Sequence, residues 1–321
     1  MAETKKILMK MALVDESSYG VYVAPTYLIP FMGAMPKQSF AMIEDDANVG
    51  TAFKNLPLQG VRSLGGSGIE VNAEVNTLPL FLRQICGQAA AGNVYTPIMT
   101  SNPKSMSSCV LDAIKTNKHA GIVMNNFKLS SQSDGKLKLS FDPISCIAEV
   151  RDDTAFPTIT TSPGTELLHQ HAGGTNGYFR VGDQADALAA GDNLSIKSCE
   201  FSINWNFAMD SVNSQTQLQP KSAMAEVSLA FQIAEHTTDA FKAFADARTP
   251  LQLEAKFYAG AAAYLIVRIP NFIMSEAPVS SDDKGRIDPA CIVGRNGVSS
   301  AAYDNGNMTF NAPIQFECVN S

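Results

Sequence analysis

The sequence predicts a mainly β protein in which a β domain with one short flanking helix occurs twice in tandem. Three observations carry that reading. Apolar and polar residues alternate in four separate segments; two short segments switch to helical spacing directly after such an alternation; and a turn-rich stretch separates the two occurrences. Alternation places every second side chain on one side of a strand, giving one face to a core and the other to water.

The strands come in order. Ile69, Val71, Ala73 and Val75 alternate with Glu70, Asn72 and Glu74. Cys199, Phe201, Ile203, Trp205 and Phe207 alternate with Glu200, Ser202, Asn204 and Asn206, and Val227, Leu229, Phe231 and Ile233 repeat the pattern. Near the end the apolar set is Met308, Phe310, Ala312, Ile314, Phe316 and Cys318, where Pro313 implies an edge or an interruption. Further strands are predicted at 109–114, 124–130, 136–141, 251–258 and 264–269, with the SQSDGK run at 131–136 as a hairpin turn. GGSG at 65–68 lacks the following Lys of a phosphate loop and also reads as a turn.

Two segments break the period. In NTLPLFLRQICG, Leu78, Phe81, Leu82 and Ile85 fall on one helical stripe, with Asn76 or Thr77 as cap, Pro79 in the first turn and Gly87 as stop. In TTDAFKAFADART the stripe is Ala240, Phe241, Phe244 and Ala245, with Thr237 or Thr238 as cap and Asp239 favouring the helix start. Each helix follows an alternating strand and precedes several more. This order divides the chain into an N-terminal arm (1–30), a first β domain (31–150), a linker or extended loop (151–193) and a second β domain (194–321).

Composition narrows the function. The 321-residue chain is 45% apolar and carries a net charge of −7, from 24 basic and 31 acidic residues. That balance argues against an electrostatic grip on nucleic acid, which needs clustered lysine and arginine. No run reaches the length of a membrane span and MAETKK lacks the apolar core of a leader, so cytoplasmic synthesis is expected. The six cysteines are scattered without a C-x-x-C pair, which predicts buried free thiols. Glu166, His169 and His171 form the one candidate metal group; the favoured reading is a loop without metal. Asp152 with Asp153 lacks a complementary acid–base partner, and Trp205 is in phase with a core face. No cofactor and no catalytic residue are expected.

The stretch ESSYGVYVAPTYLIPF, Glu16 to Phe31, carries no such chemistry. Its Tyr19, Tyr22, Tyr27 and Phe31, interrupted by Pro25 and Pro30, suit an arm that packs on a neighbouring subunit. They suit equally a first strand and turn that cover the chain's own core. The stretch, followed by PLQGVRSLGGSGIEVNAEVNTLPLFLRQICG, resembles the tail tube proteins of long-tailed bacteriophages, which commonly show E-T-x-Y-G, then P-T, then P-F. AEVSLAFQIAEHTTDAFKAFADA and LIVRIPNFIMSEAPVS extend the resemblance to the second half. Ser17 and Ser18 stand where threonines are usual, ICG stands where L-G is usual, and 151–193 matches least.

The resemblance implies a structural virion protein that polymerises as stacked rings into the tail tube, the conduit for viral DNA. It implies a small β-sandwich or barrel with one short flanking helix, similar to type VI secretion tube proteins, with inner sheets paired edge to edge around rings of six domains. With two domains per chain the ring is a trimer, and a hexamer stays open. Other tail proteins (tape measure, tail tip, terminator) are the implied partners, and DNA passes the lumen without specific binding. If the strand at 69–75 lies in the inner sheet, Glu70, Asn72 and Glu74 are lumen-facing candidates, or else an ordinary solvated face; Glu44, Asp45 and Asp46 fit a charged loop better. Two rival classes remain: a β-sandwich binding module for a surface glycan or protein, which requires exposed loop aromatics, and an enzyme, which requires converging ionisable groups.

Overall fold

Pairing between the alternating segments sorts the chain into two large sheets and a separate hairpin. The computed structural model describes residues 9–32, 37–43, 58–65, 68–87, 92–97, 103–111, 115–133, 135–144, 148–152, 155–169, 177–207, 219, 221, 225–234, 240–260, 262–275, 288–293, 308, 310 and 312–320. The strands of the first half are β1 (Lys10–Asp15), β2 (Tyr27–Ile29), β3 (Phe31–Met32), β4 (Lys37–Ile43), β5 (Leu58–Gly65), β6 (Ile69–Asn72), β7 (Val94–Tyr95), β8 (Met106–Leu111), β9 (Thr116–Gln132), β10 (Lys138–Ile144) and β11 (Ala148–Asp152). Those of the second are β12 (Tyr178–Asp183), β13 (Ile196–Asn204), β14 (Glu226–Ile233), β15 (Leu251–Gly260), β16 (Ala263–Met274), β17 (Cys291–Val293) and β18 (Gln315–Val319). The helices are α1 (Leu78–Cys86) and α2 (Ala240–Ala247).

Among the described residues the larger sheet has ten strands and is organised by β9, which is 17 residues long. The first part of β9 pairs with β8 and β11, and the second part pairs with β10 and β13. Between the parts stands Gly121 at φ +78, a conformation that lets the strand change direction and partners at little steric cost. From β9 the sheet runs through β10 and β6 to β3 on one side and through β13 to β14 on the other; β8, β1 and β2 continue it from the first part. The second sheet has six described strands in the order β12-β15-β16-β18-β7, with β17 added to β16. Strands from the two halves of the chain therefore meet in both sheets, at β9 with β13 and at β18 with β7.

The sheets face one another across one core. Phe127 on β9 meets Phe316 on β18 at 6.0 Å, Phe201 on β13 meets Phe257 on β15 at 6.3 Å, and Phe231 on β14 meets Phe179 on β12 at 5.2 Å between ring centroids. All are in phase with the alternation, so aromatic area is buried on both inner faces at once. No sheet closes into a barrel among the described residues, and of the two architectures expected only the facing-sheet form is seen.

Both helices form where the spacing places them. Pro79 sits in the first turn of α1, and Gly87 ends it at φ 70 with its N–H directed to the Gln84 carbonyl. Thr77 occupies the N-cap without a side-chain bond; the Glu74 carbonyl instead accepts from Thr77 and Leu78 N–H at 3.2 and 2.9 Å. The predicted caps of α2 lie outside the described residues. Its end is Arg248 at φ 50, after which Thr249 N–H returns to the Phe244 carbonyl at 3.0 Å.

Candidate functional site

The polar side of β6, β10, the second part of β9, β13 and β14 forms one continuous face five strands wide. Cross-strand register aligns Glu70, Ser140, Lys128, Ser202 and Ser228 in one row and Asn72, Lys138, Ser130, Glu200 and Ala230 in the next. Asp142, Asn126, Asn204 and Glu226 continue it. The floor is built from small hydroxyl and amide side chains, and its lysines do not stand alone. Lys128 Nζ lies 2.7 Å from the Glu200 carboxylate, and Lys138 Nζ lies 2.7 Å from that of Glu70. Glu70 and Asn72 thus lie on the predicted polar face, Asn72 with its amide donated to Glu166 Oε1 at 2.7 Å.

Glu74 does not share that open face, and this corrects the expectation from alternation. β6 ends at Asn72, and residues 161–169 cross over the chain beyond it. Leu167 N–H bonds the Ala73 carbonyl at 2.9 Å, Leu137 N–H bonds the Leu167 carbonyl at 2.8 Å, and Glu74 bridges to Glu166. Covered in this way, Glu74 is only 4% exposed and its Oε2 has no hydrogen-bond partner. Burial, reinforced by the neighbouring Glu166 carboxylate and opposed by a Gly164 N–H and by Lys136, pushes its carboxyl up to about 7. Glu166 itself is held by Lys136 and Asn72.

The N-terminal stretch turns out to be organised around its first residue. Glu16 is 9% exposed, and its two oxygens take four hydrogen bonds: from Gly20 N–H (2.9 Å), Ser105 Oγ (2.5 Å), Ser107 Oγ (2.7 Å) and Gly121 N–H (2.9 Å). One carboxylate thereby fixes the turn after β1, the start of β8 and the bend of β9. Next to it Asp15 accepts from Arg83 Nε at 2.8 Å and from Gln84 Nε2 at 2.5 Å, tying β1 to α1. Tyr27 and Phe31 lie in β2 and β3 and pack on the core of this chain, so Pro25 and Pro30 flank a short strand. Tyr19 is half-buried, while Val21 (56% exposed) and Tyr22 (36% exposed) form an open tip, with Lys118 Nζ 5.9 Å from the Tyr22 ring. Periodicity gave no sign of the Glu16 clamp; the E-S-S-Y-G motif marked its position without its role.

The remaining candidates that the structure describes are held in structural contacts. His169 is buried on Ser131 at 2.5 Å, and His171 lies outside the described residues, as do Glu44, Asp45, Asp46 and Asp153. Among the described residues no group of three potential ligands surrounds a metal position. The second Ser–His pair, Ser108 with His119 at 2.9 Å, is buried between β8 and β9. Trp205 donates from Nε1 to the Ile85 carbonyl at 2.9 Å, satisfying an end of α1. The described cysteines are free thiols; Cys86, Cys109, Cys199 and Cys318 are buried and Cys291 is partly so. Tyr22 is the single aromatic among the exposed large hydrophobics described, whereas a glycan site stacks sugars on several. Among the described residues no helix is long and apolar enough to cross a membrane.

No curated protein sequence matches the chain. A family model described as phage tail tube protein matches residues 8–318, spanning both sheets, both helices and the Glu16 clamp, and the chain therefore belongs to the phage tail tube protein family.

Proposed function

We propose that three copies of this chain close one ring of the tail tube, each supplying two tube-like β domains in tandem, 31–150 and 194–321, so that the ring has pseudo-sixfold symmetry. Membership of the family makes the chain a structural protein of the virion tail, and tail tube proteins assemble into rings and tubes. The observation that carries the finer reading is a repeated strand order. β1 and β12, which precede the two domains in the chain, each open an antiparallel run, β1-β8-β9-β10 and β12-β15-β16-β18, with α1 entering just before the β7–β8 region and α2 just before β15. The β9–β13 junction joins the halves edge to edge within one polar-faced sheet, which is how neighbouring domains close an inner wall without open edges.

In this arrangement the face bearing Glu70 and Asn72 turns to the lumen, and residues 161–169, within the stretch that joins the two domains, lie over the end of β6. The exposed tip at Val21 and Tyr22 is the part of the N-terminal stretch that touches a neighbouring subunit, while Tyr27 and Phe31 secure it from within. Tape-measure, tail-tip and terminator proteins meet the tube at its lumen and ends, and DNA passes without specific binding. Electron microscopy of stacked rings tests this directly. Three chains per ring, each spanning two of six similar lobes, is the expected image; six chains per ring would overturn it.

A further inference from the structure

The polar face poses a problem for any surface meant to pass a polyanion: it contains lysines. Lys128 and Lys138 are each about half exposed on it, at 39% and 51% of the side chain. An ammonium so placed grips phosphate by displacing counterions. Each is instead held by a glutamate on the adjacent strand in the same geometry. Lys128 faces Ser202 in register and reaches Glu200, two residues along β13; Lys138 faces Asn72 and reaches Glu70, two residues along β6. Exposed pairs of this kind contribute little to stability, about 0.2–1 kcal/mol each. Their effect is on what the surface presents. A phosphate approaching either lysine meets a carboxylate already in contact with it; Lys136, at the end of the same face, is likewise paired with Glu166, and Asp142, Glu226 and Asp288 leave the face net acidic. Ser130, Ser140, Ser202 and Ser228 supply a neutral floor between the pairs.

We propose that this face is the surface along which duplex DNA slides, and that the pairs Lys128–Glu200 and Lys138–Glu70 mask its lysines so that the duplex is not gripped. The proposal rests on the tube reading above. It gives Glu70 and Glu200 a role separate from general acidity: removing them exposes two cations already in position.

The full-length protein bearing Glu70→Gln and Glu200→Gln tests it, with linear duplex DNA as probe at low salt. Retention of DNA should rise about tenfold or more, with a log–log salt slope of about −2 for two freed lysines, while thermal stability stays near that of the parent. Adding Lys128→Gln and Lys138→Gln should abolish the gain. Asp186→Asn with Asp246→Asn, exposed acids away from the face, makes the same change in net charge and should produce no gain. No gain in the first variant, or an equal gain in the second, overturns the masking. Phage assembled with the first variant should eject DNA more slowly; tighter retention with normal ejection would show that the pairs mask but that the face does not meet DNA, overturning its assignment as the sliding surface. Ring images judge the trimer independently of either result.

Discussion

The two strand–helix units, β6 with α1 and β14 with α2, follow the same order in sequence but are held differently. α1 is enclosed: eight of its nine residues are buried, Phe81 packs 5.3 Å from Phe141, and Asp15 clamps both Arg83 and Gln84 from β1. α2 leans on β16 with one side only, burying Phe241 and Ala245 while Lys242, Ala243 and Asp246 stay in water. Similar amphipathic spacing thus gives two outcomes, because enclosure depends on what other segments cover the helix. The N-terminal strand β1 and the C-terminal strand β18 cover the first. Periodicity within a helix cannot report such distant cover.

The comparison breaks most sharply at the aromatic anchors. Phe81→Ala should cost about 4 kcal/mol and Phe241→Ala about 3 kcal/mol or less, since the second site can relax toward solvent. Denaturant midpoints of the two variants decide it; equal losses would show that α2 is covered as well as α1. Next comes the carboxylate that fixes the surroundings of α1. Glu16→Gln turns an amide against a ring of donors and should cost about 3 kcal/mol, with the loss concentrated in hydrogen-exchange protection of β1 and β8. Unchanged protection there would remove the clamp from the account.

A smaller effect belongs to Glu74, which lies at the start of α1 and has no counterpart described beside α2. Its carboxyl titrates near 7 in the folded chain, above the ordinary value of 4.5, so the folded state binds the extra proton between those limits. The stability it contributes is full below about 4.5 and is lost as pH rises through about 7. Glu74→Gln should remove that dependence and stabilise the protein at pH 8 by about 2 kcal/mol, read as the difference in melting between pH 5 and pH 8. A parent and variant with parallel pH profiles would mean that Glu74 reaches water. Smallest of all, Lys242→Ala on the open side of α2 should change stability by no more than about 0.5 kcal/mol; a larger loss would show that this side is covered too.

What sequence pattern revealed follows the same division. Strands with one wet face, β6, β13 and β14, were legible residue by residue, as were both helices. Strands buried on both faces were not. Met11, Ala12 and Leu13 of β1 are consecutive buried residues, and β8 is buried from Met106 to Val110, three residues earlier than its apolar pattern suggested. In β9 the run from His119 to Met124 is buried without alternation, so one long strand read as a short one. β12 was hidden in a stretch whose Gly and Thr content read as a connection. Glu16 and Glu74 share a further reason: a charged residue signals solvent in any pattern, and only the donors or the strap brought by remote segments put these two inside.

The bent strand β9 has a mechanical consequence. At about 3.3 Å per residue its 17 residues have a contour length of roughly 55 Å, and four different strands are bonded along its sides. Tension along its axis loads those ladders side by side, in shear, and does not peel them open one bond at a time. The load path crosses from the first half of the chain to the second through β13, with Gly121, fixed by Glu16, as its corner. A tube that must stay intact while its contents are driven through it gains a continuous rib from a single run of backbone.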